Sequence, residues 1–309
     1  MSKENTAVTK KKIKRCKEDV VFDAACFIIL TLVLFVVAYP LYWVIISSIS
    51  APSAVSSGKV LLHPIGFTLK GYAEVFKNDQ VMRGFLNSLI ITFCGVMVNL
   101  IVTLPTSYAL SRSNFSGKKP ITIFYLITMF FGGGMIPTYL VVKNMQLLNT
   151  IWALVLPGCL SVYNMIVART FFKSNISEEL YEAAEIDGCT QARFFFQIAL
   201  PLSKAIIAIL VLYYGVGHWN SYFSALVYIS DKAKYPLQLV LRNILITNQT
   251  ALSQTATTAA ARAALQEKQQ LIDVMKYSLI IISSIPVLVM YPLVQKHFVK
   301  GVMIGSMKG

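Results

Sequence analysis

Six long apolar stretches of the chain carry no charged residue. The windows 24–47, 84–111, 120–142, 150–168, 205–230 and 277–295 carry no Asp, Glu, Lys or Arg. Each reaches the roughly 18 apolar residues that a helix needs to cross a bilayer core. The pattern predicts an all-α, polytopic membrane protein with six transmembrane helices. A basic segment 1–23 precedes the transmembrane domain 24–295, and a tail 296–309 follows it. The loops 48–83 and 231–276 are expected on one side of the membrane and a loop over 173–201 on the other.

Helix breakers punctuate the apolar windows. Pro105, the run Gly132, Gly133, Gly134 and Pro137, the pair Pro157 and Gly158, and Gly215, Gly217, Pro286 and Pro292 all fall inside them. Backbone freed in hydrocarbon must be covered by protein or water, so these positions suggest helices around a cavity or helices packed closely through small residues. The fifth window adds Tyr213, Tyr214, His218, Trp219, Asn220 and Tyr222. Aromatic faces and amides at that density suit a sugar path, and they equally suit an aromatic belt at the membrane interface.

Composition supports the membrane reading, with 56% apolar and 14% charged residues among 309 and a mean hydropathy of +0.62. The net charge of +14 does not imply a nucleic-acid partner, because the basic residues flank apolar runs rather than gather on one soluble face. Lys3, Lys10, Lys11, Lys12, Lys14, Arg15 and Lys17 precede the first window, Arg112, Lys118 and Lys119 follow the second, and Lys296, Lys300 and Lys308 follow the sixth. By the positive-inside rule both termini and the 173–201 loop are cytoplasmic. The first apolar run is too long for a signal peptide and lacks a small-residue cleavage site, so it reads as a retained helix. Five dispersed cysteines with no CxxC pair indicate neither a disulfide framework nor a zinc site.

The 173–201 loop breaks the charge pattern. Glu178, Glu179, Glu182, Glu185 and Asp187 place five of the fourteen acidic residues within ten positions. Glu178, Glu182 and Glu185 fall at i, i+4 and i+7, so a helix would carry them as one ridge, with Ala183 and Ala184 as a low surface beside it. Ser177, or Asn175 with Glu178 as a capping box, can start that helix. Gly188 stops it in a left-handed conformation. Phe194, Phe195, Phe196 and Ile198 follow as an apolar block, and Pro201 suits the first turn of the next spanning helix.

Two absences define what this loop serves. No GxxxxGK[ST] phosphate loop occurs, and no carboxylate lies in any apolar window, where ion-coupled carriers commonly hold one. The chain has no catalytic constellation of its own. If it pumps, its energy comes from another subunit, and the acidic loop is the place for that subunit to attach.

The loop resembles the signature of the membrane permeases of ABC importers. Glu182, Ala183 and Ala184 precede Gly188, and Ile198, Leu200 and Pro201 follow at the spacing of EAA, three residues, Gly, nine residues, Ile, one residue, Leu-Pro. Cys189 stands where the family usually has alanine. LSRSNFSGKK, MIPTYLVVKNMQLLNTIWALVLP, HWNSYFSALVYIS and HFVKGVMIGSMKG are similar to the carbohydrate-importer branch. FFGGGMIPTYL and the long last outer loop look closest to its polysaccharide and complex-oligosaccharide permeases.

The resemblance implies a type I ABC importer permease fold in a bacterial plasma membrane. It assigns ATPase docking to Glu178, Glu182, Ala183, Ala184, Glu185, Asp187 and Gly188. It brings Gly301, Gly305 and Lys308 of the tail to the ATPase interface. The partners it implies are a homologous second permease, two ATP-binding subunits carrying ATP and Mg, and an extracellular solute-binding lipoprotein that delivers an oligosaccharide. A permease for a non-sugar solute such as a peptide, or an ion-coupled carrier with a regulatory loop, is the alternative.

Overall fold

The computed structural model describes residues 17–251 and 259–306, and every element in them is helical. In chain order these are α1 (Lys17–Ser48), α2 (Pro52–Ser56), α3 (Lys70–Lys77), α4 (Asp79–Ser111), α5 (Lys118–Phe130), α6 (Met135–Asn144), α7 (Trp152–Val155) and α8 (Val162–Asn175). They continue with α9 (Glu178–Ile186), α10 (Gln191–Phe194), α11 (Leu200–Leu202), α12 (Lys204–Trp219), α13 (Tyr222–Tyr228), α14 (Leu237–Ala251) and α15 (Ala259–Ser306).

Three straight helices are long and apolar enough to cross a membrane: α1, α4 and the stretch Gln269–Pro292 of α15. The other three expected spans are bent rather than continuous. Lys118–Phe130 turns by 113° into Met135–Asn144, Trp152–Gly158 by 54° into Val162–Asn175, and Gln191–Leu202 by 80° into Lys204–Trp219. Counting each bent pair as one span gives six.

The breakers divide by what surrounds them. Gly134, at φ +86°, opens the second leg of the third span as its N-cap, and Pro157 and Gly158 interrupt the fourth. Pro105, Pro286, Pro292 and Gly215 instead lie inside unbroken helices. Gly215 is a packing residue, since a Cβ there would run into the methyl end of Met290. Pro201 opens only the short α11, and the fifth span turns at Ser203 before running on from Lys204.

Helix α4 is the central strut. Its 33 residues cover about 50 Å at 1.5 Å per residue, well beyond the bilayer core, and it packs against α8, α12 and α14. Helix α1 is apolar on all sides and exposed along most of its length, meeting the bundle near its end, where Ile46, Ser47 and Ser48 are buried and Trp43 meets Tyr277 of α15 edge to face at 5.1 Å. That is the surface a lipid-facing helix presents. Beyond it, Trp43 Nε1 donates to Val60 O at 2.8 Å and Tyr42 Oη to Leu62 O at 2.6 Å, folding the segment after α1 back onto the helix.

The 231–276 segment is largely helical among its described residues. Helix α14 packs onto α4 through the fully buried Leu237, Leu239 and Val240, and α15 starts at Ala259. Asn87 and Ser88 of α4 hold its entry: Asn87 Nδ2 donates to Ala233 O at 2.8 Å, and Ser88 Oγ accepts from Leu237 N at 2.8 Å. Helix α15 runs on beyond its apolar stretch, through Gly301 and Gly305 to Ser306. Lys308 lies outside the described residues.

Close backbone approach at a small residue joins the 48–83 segment to α15. A Cβ on Gly71 would enter the space of Ser278 and of Val274, including its carbonyl oxygen. Gly71→Ala is therefore expected to cost about 1–3 kcal/mol by overpacking, read as a lower melting temperature of the detergent-solubilised protein. Gly215→Ala meets only a flexible methionine end, and its melting temperature is expected to stay within a degree or two of the parent, as an effect of a few tenths of a kcal/mol gives.

Candidate functional site

The acidic stretch folds as expected into a capped helix with a glycine stop. Of the two possible caps, Ser177 serves: its Oγ accepts from Leu180 N at 3.3 Å. Gly188 has φ +74°. Its N–H donates to Glu185 O and that of Cys189 to Ala184 O, both at 2.9 Å. These are the two bonds that close a helix through a left-handed residue. Thr190 then caps α10 by accepting from Arg193 N at 3.3 Å, and a π-turn over Phe195–Ala199 leads to the bend at Ser203.

The loop sits on an aromatic base. Tyr181, Phe194 and Phe195 are buried with Tyr108 of α4 and Phe172 of α8. The Tyr181 and Phe194 rings meet edge to face at 5.3 Å. Phe196 of the same apolar block points outward and is exposed. On the open side lie Glu182, Ala183, Glu185, Asp187 and Gly188, together with Ile186, which is 87% exposed. A Cβ on Gly188 would meet nothing within 4 Å. Ala184 is half-buried against the aromatic base.

One member of the expected ridge is turned inward. Glu178 Oε2 pairs with Arg112 Nη2 at 2.7 Å, and its Oε1 accepts from Ser113 N at 3.2 Å. Arg112 is 8% exposed and its guanidinium lies 4.1 Å from the centre of the Tyr181 ring, a stacked cation–aromatic contact. Sequence reading left Arg112 as a topological charge. Nothing in sequence spacing joins it to a carboxylate 66 positions away.

The fifth-span residues separate into two groups. Tyr214 is buried, sharing a hydrogen bond of 2.7 Å with Thr103 Oγ1, and its Oη lies 3.3 Å from Ser161 N. Trp219 is buried and donates to Ser283 O at 2.9 Å. In this conformation these two side chains join helices. Tyr213, Asn220 and Tyr222 are exposed. His218 meets Asn99 Oδ1 at 2.6 Å, and Asn99 Nδ2 donates to Gly158 O at 2.8 Å. That pair covers a carbonyl freed by the break in the fourth span.

A bundle of hydrophobic spans, three of them bent, with one capped acidic helix held against the end of the central strut, fits the membrane subunit of a transport system. The whole-chain comparisons place it more closely. No protein-family model matches the chain. It is 36% identical over 288 residues to the polygalacturonan/rhamnogalacturonan transport system permease protein YtcP of Bacillus subtilis, covering 93% of this chain and 98% of that one. It is 39% identical to the protein LplC of the same organism, covering 94% and 95%. Its fold matches a chain in the crystal structure of a bacterial ABC transporter involved in the import of the acidic polysaccharide alginate. That match has a TM-score of 0.83 and 28% identity, covering 93% of this chain and all of that one. The chain belongs to the permease subunits of ABC importers.

Proposed function

We propose that this permease is one half of a pore through which an ATP-driven importer moves an oligosaccharide into a bacterial cell. A second permease completes the pore, two ATP-binding subunits with ATP and Mg supply the energy, and an extracellular lipoprotein delivers the sugar. The cargo reading is supported by the relatives, one named for polygalacturonan and rhamnogalacturonan and one for alginate import, which makes fragments of uronate-containing glycans the first sugars to test.

The observation that carries the mechanism is the open face of α9. Outside the membrane, an 87% exposed Ile186 flanked by Glu182, Glu185 and Asp187 is an apolar contact ringed by carboxylates, the form of a docking surface for a partner with basic groups around an apolar groove. Ala183 and the empty surroundings of Gly188 permit close approach. ATP-driven closure of the partner then displaces α9. The basic residues beside the apolar windows support a cytoplasmic position for this loop and for both termini. Gly301, Gly305 and Lys308 then lie on the side of the ATP-binding subunits, and Tyr213, Asn220 and Tyr222 offer exposed hydrogen-bonding groups to the sugar.

The test is uptake by vesicles holding the complete importer, its binding protein and internal ATP, with labelled trigalacturonide, a neutral trisaccharide and a tripeptide offered in turn. ATP-dependent entry of a saccharide and exclusion of the tripeptide are expected. Entry of the tripeptide alone would reassign the cargo, and uptake driven by an ion gradient without ATP would overturn the whole reading. Glu182→Lys, which reverses one charge of the docking face, is expected to lower saccharide uptake about tenfold, in line with about 1.4 kcal/mol.

A further inference from the structure

The last turn of α4 is where four separate elements are tied together by cations. Arg169 of α8 donates from Nε to Leu110 O at 3.0 Å. Lys118 at the start of α5 donates from Nζ to Arg112 O at 3.1 Å and to Ser113 O at 3.0 Å. Both neutralise the negative end of the helix dipole, where carbonyls lack intrahelical donors. Arg112 faces the other way, onto Glu178 and Tyr181 in the first turn of α9. Further along, α4 is bonded to α8 by Ser107 Oγ to Met165 O at 3.0 Å and to α12 by the Thr103–Tyr214 bond. A displacement handed to the end of α4 is thus handed to the third, fourth and fifth spans together.

Beside this junction the contact between α4 and the loop is incomplete. A cavity of about 290 Å³ opens between them, lined by Arg112, Asn114, Phe115, Tyr181, Gln191 and Phe195 among others. Space on that side lets α9 tilt on its aromatic base, since ring contacts constrain distance more than direction. The Arg112 fork fixes direction, because it engages a carboxylate and a ring face at once and leaves little freedom to either.

We infer that Arg112 is a positioning residue of transport: it locks α9 to α4, so that movement of the docked loop becomes movement of the spans instead of a local tilt. This inference rests on the reading of α9 as the docking helix for the ATP-binding subunits. It assigns a role within this chain to Glu178, whose carboxylate serves the internal lock rather than the partner.

The experiment is a distance measurement between spin labels in the purified complete importer. The five native cysteines are replaced by serine, and labels are placed at Glu179→Cys on the exposed side of α9 and at Phe93→Cys on the outer surface of α4. With Arg112 present, one narrow distance distribution is expected, unchanged when ATP, Mg and vanadate are added. In Arg112→Ala the distribution is expected to broaden and to shift with nucleotide, because the partner then moves α9 without α4. The exchange Arg112→Glu with Glu178→Arg is expected to narrow it again. Arg112→Lys, which keeps charge but not the planar fork, is expected to give an intermediate width and serves if the alanine variant does not assemble. A distribution in Arg112→Ala or Arg112→Lys as narrow and as nucleotide-independent as the parent's would overturn the lock. If Gly188→Asp retains its ATP-binding subunits and full ATP-driven uptake, the docking reading itself fails, and the role of Arg112 falls with it.

Discussion

Replacing Gly188 by aspartate is expected to abolish ATP-driven uptake while leaving the permease folded and inserted. The reasoning separates what the substitution does to the chain from what it does to a partner. Within the chain, Gly188 holds φ +74°, and a side-chain residue there costs about 1–2 kcal/mol of backbone strain. No atom lies within 4 Å of the added Cβ, so no clash adds to that cost. A partner seated on the loop instead meets new volume at its closest point of approach and one more negative charge beside Asp187 and Glu185. Membrane abundance of Gly188→Asp is expected to match the parent, co-purifying ATP-binding subunits to disappear, and uptake to fall at least a hundredfold. Gly188→Asn has the same size, tolerates the left-handed region better and carries no charge. It is expected to fall between Gly188→Asp and the parent. Wild-type uptake in Gly188→Asp would remove α9 from the energy pathway.

The loop was legible because its signals are local. A serine cap, a glycine stop and an acidic face each act within four residues, and all three appear where the sequence puts them. The six spans were legible by the absence of charge, but their shape was not. The same glycine or proline breaks a helix when nothing holds the turn, as at Gly134, and merely packs when a neighbouring helix crosses there, as at Gly215 beside Met290. That difference belongs to the partner helix, which periodicity within one window cannot reveal. The two polar links that matter most, Arg112 to Glu178 and Asn99 to His218, join positions 66 and 119 apart. Glu178 shows the consequence: its i, i+4, i+7 spacing aligned it with Glu182 and Glu185, yet a cation on another helix draws it inward.

Asn99→Leu is expected to be the most destabilising single change of similar size inside the bundle. Asn99 is fully buried in α4. Its Nδ2 must face Gly158 O, which can only accept, so Oδ1 faces His218 and accepts from Nε2–H. The geometry is held from behind by Gly95, where any Cβ would collide with the imidazole ring. Leucine has the same branched shape, though it is bulkier, and strands two groups at once, the His218 N–H and the Gly158 carbonyl at the break of the fourth span. Each buried polar group left without a partner costs about 1–3 kcal/mol, reduced where the membrane-unfolded state also lacks good partners. The expected loss is about 2 kcal/mol, read as a fall of several degrees in the melting temperature of the detergent-solubilised importer. His218→Leu leaves the Asn99–Gly158 bond intact and is expected to cost about half as much. The double variant decides whether the pair acts as a unit: without an imidazole to strand, Asn99→Leu with His218→Leu should be more stable than Asn99→Leu alone. Losses that simply add would show that the two residues contribute independently, and the tether on the broken span would then lie elsewhere, with the Tyr214 bond to Ser161 N as the link nearest the break.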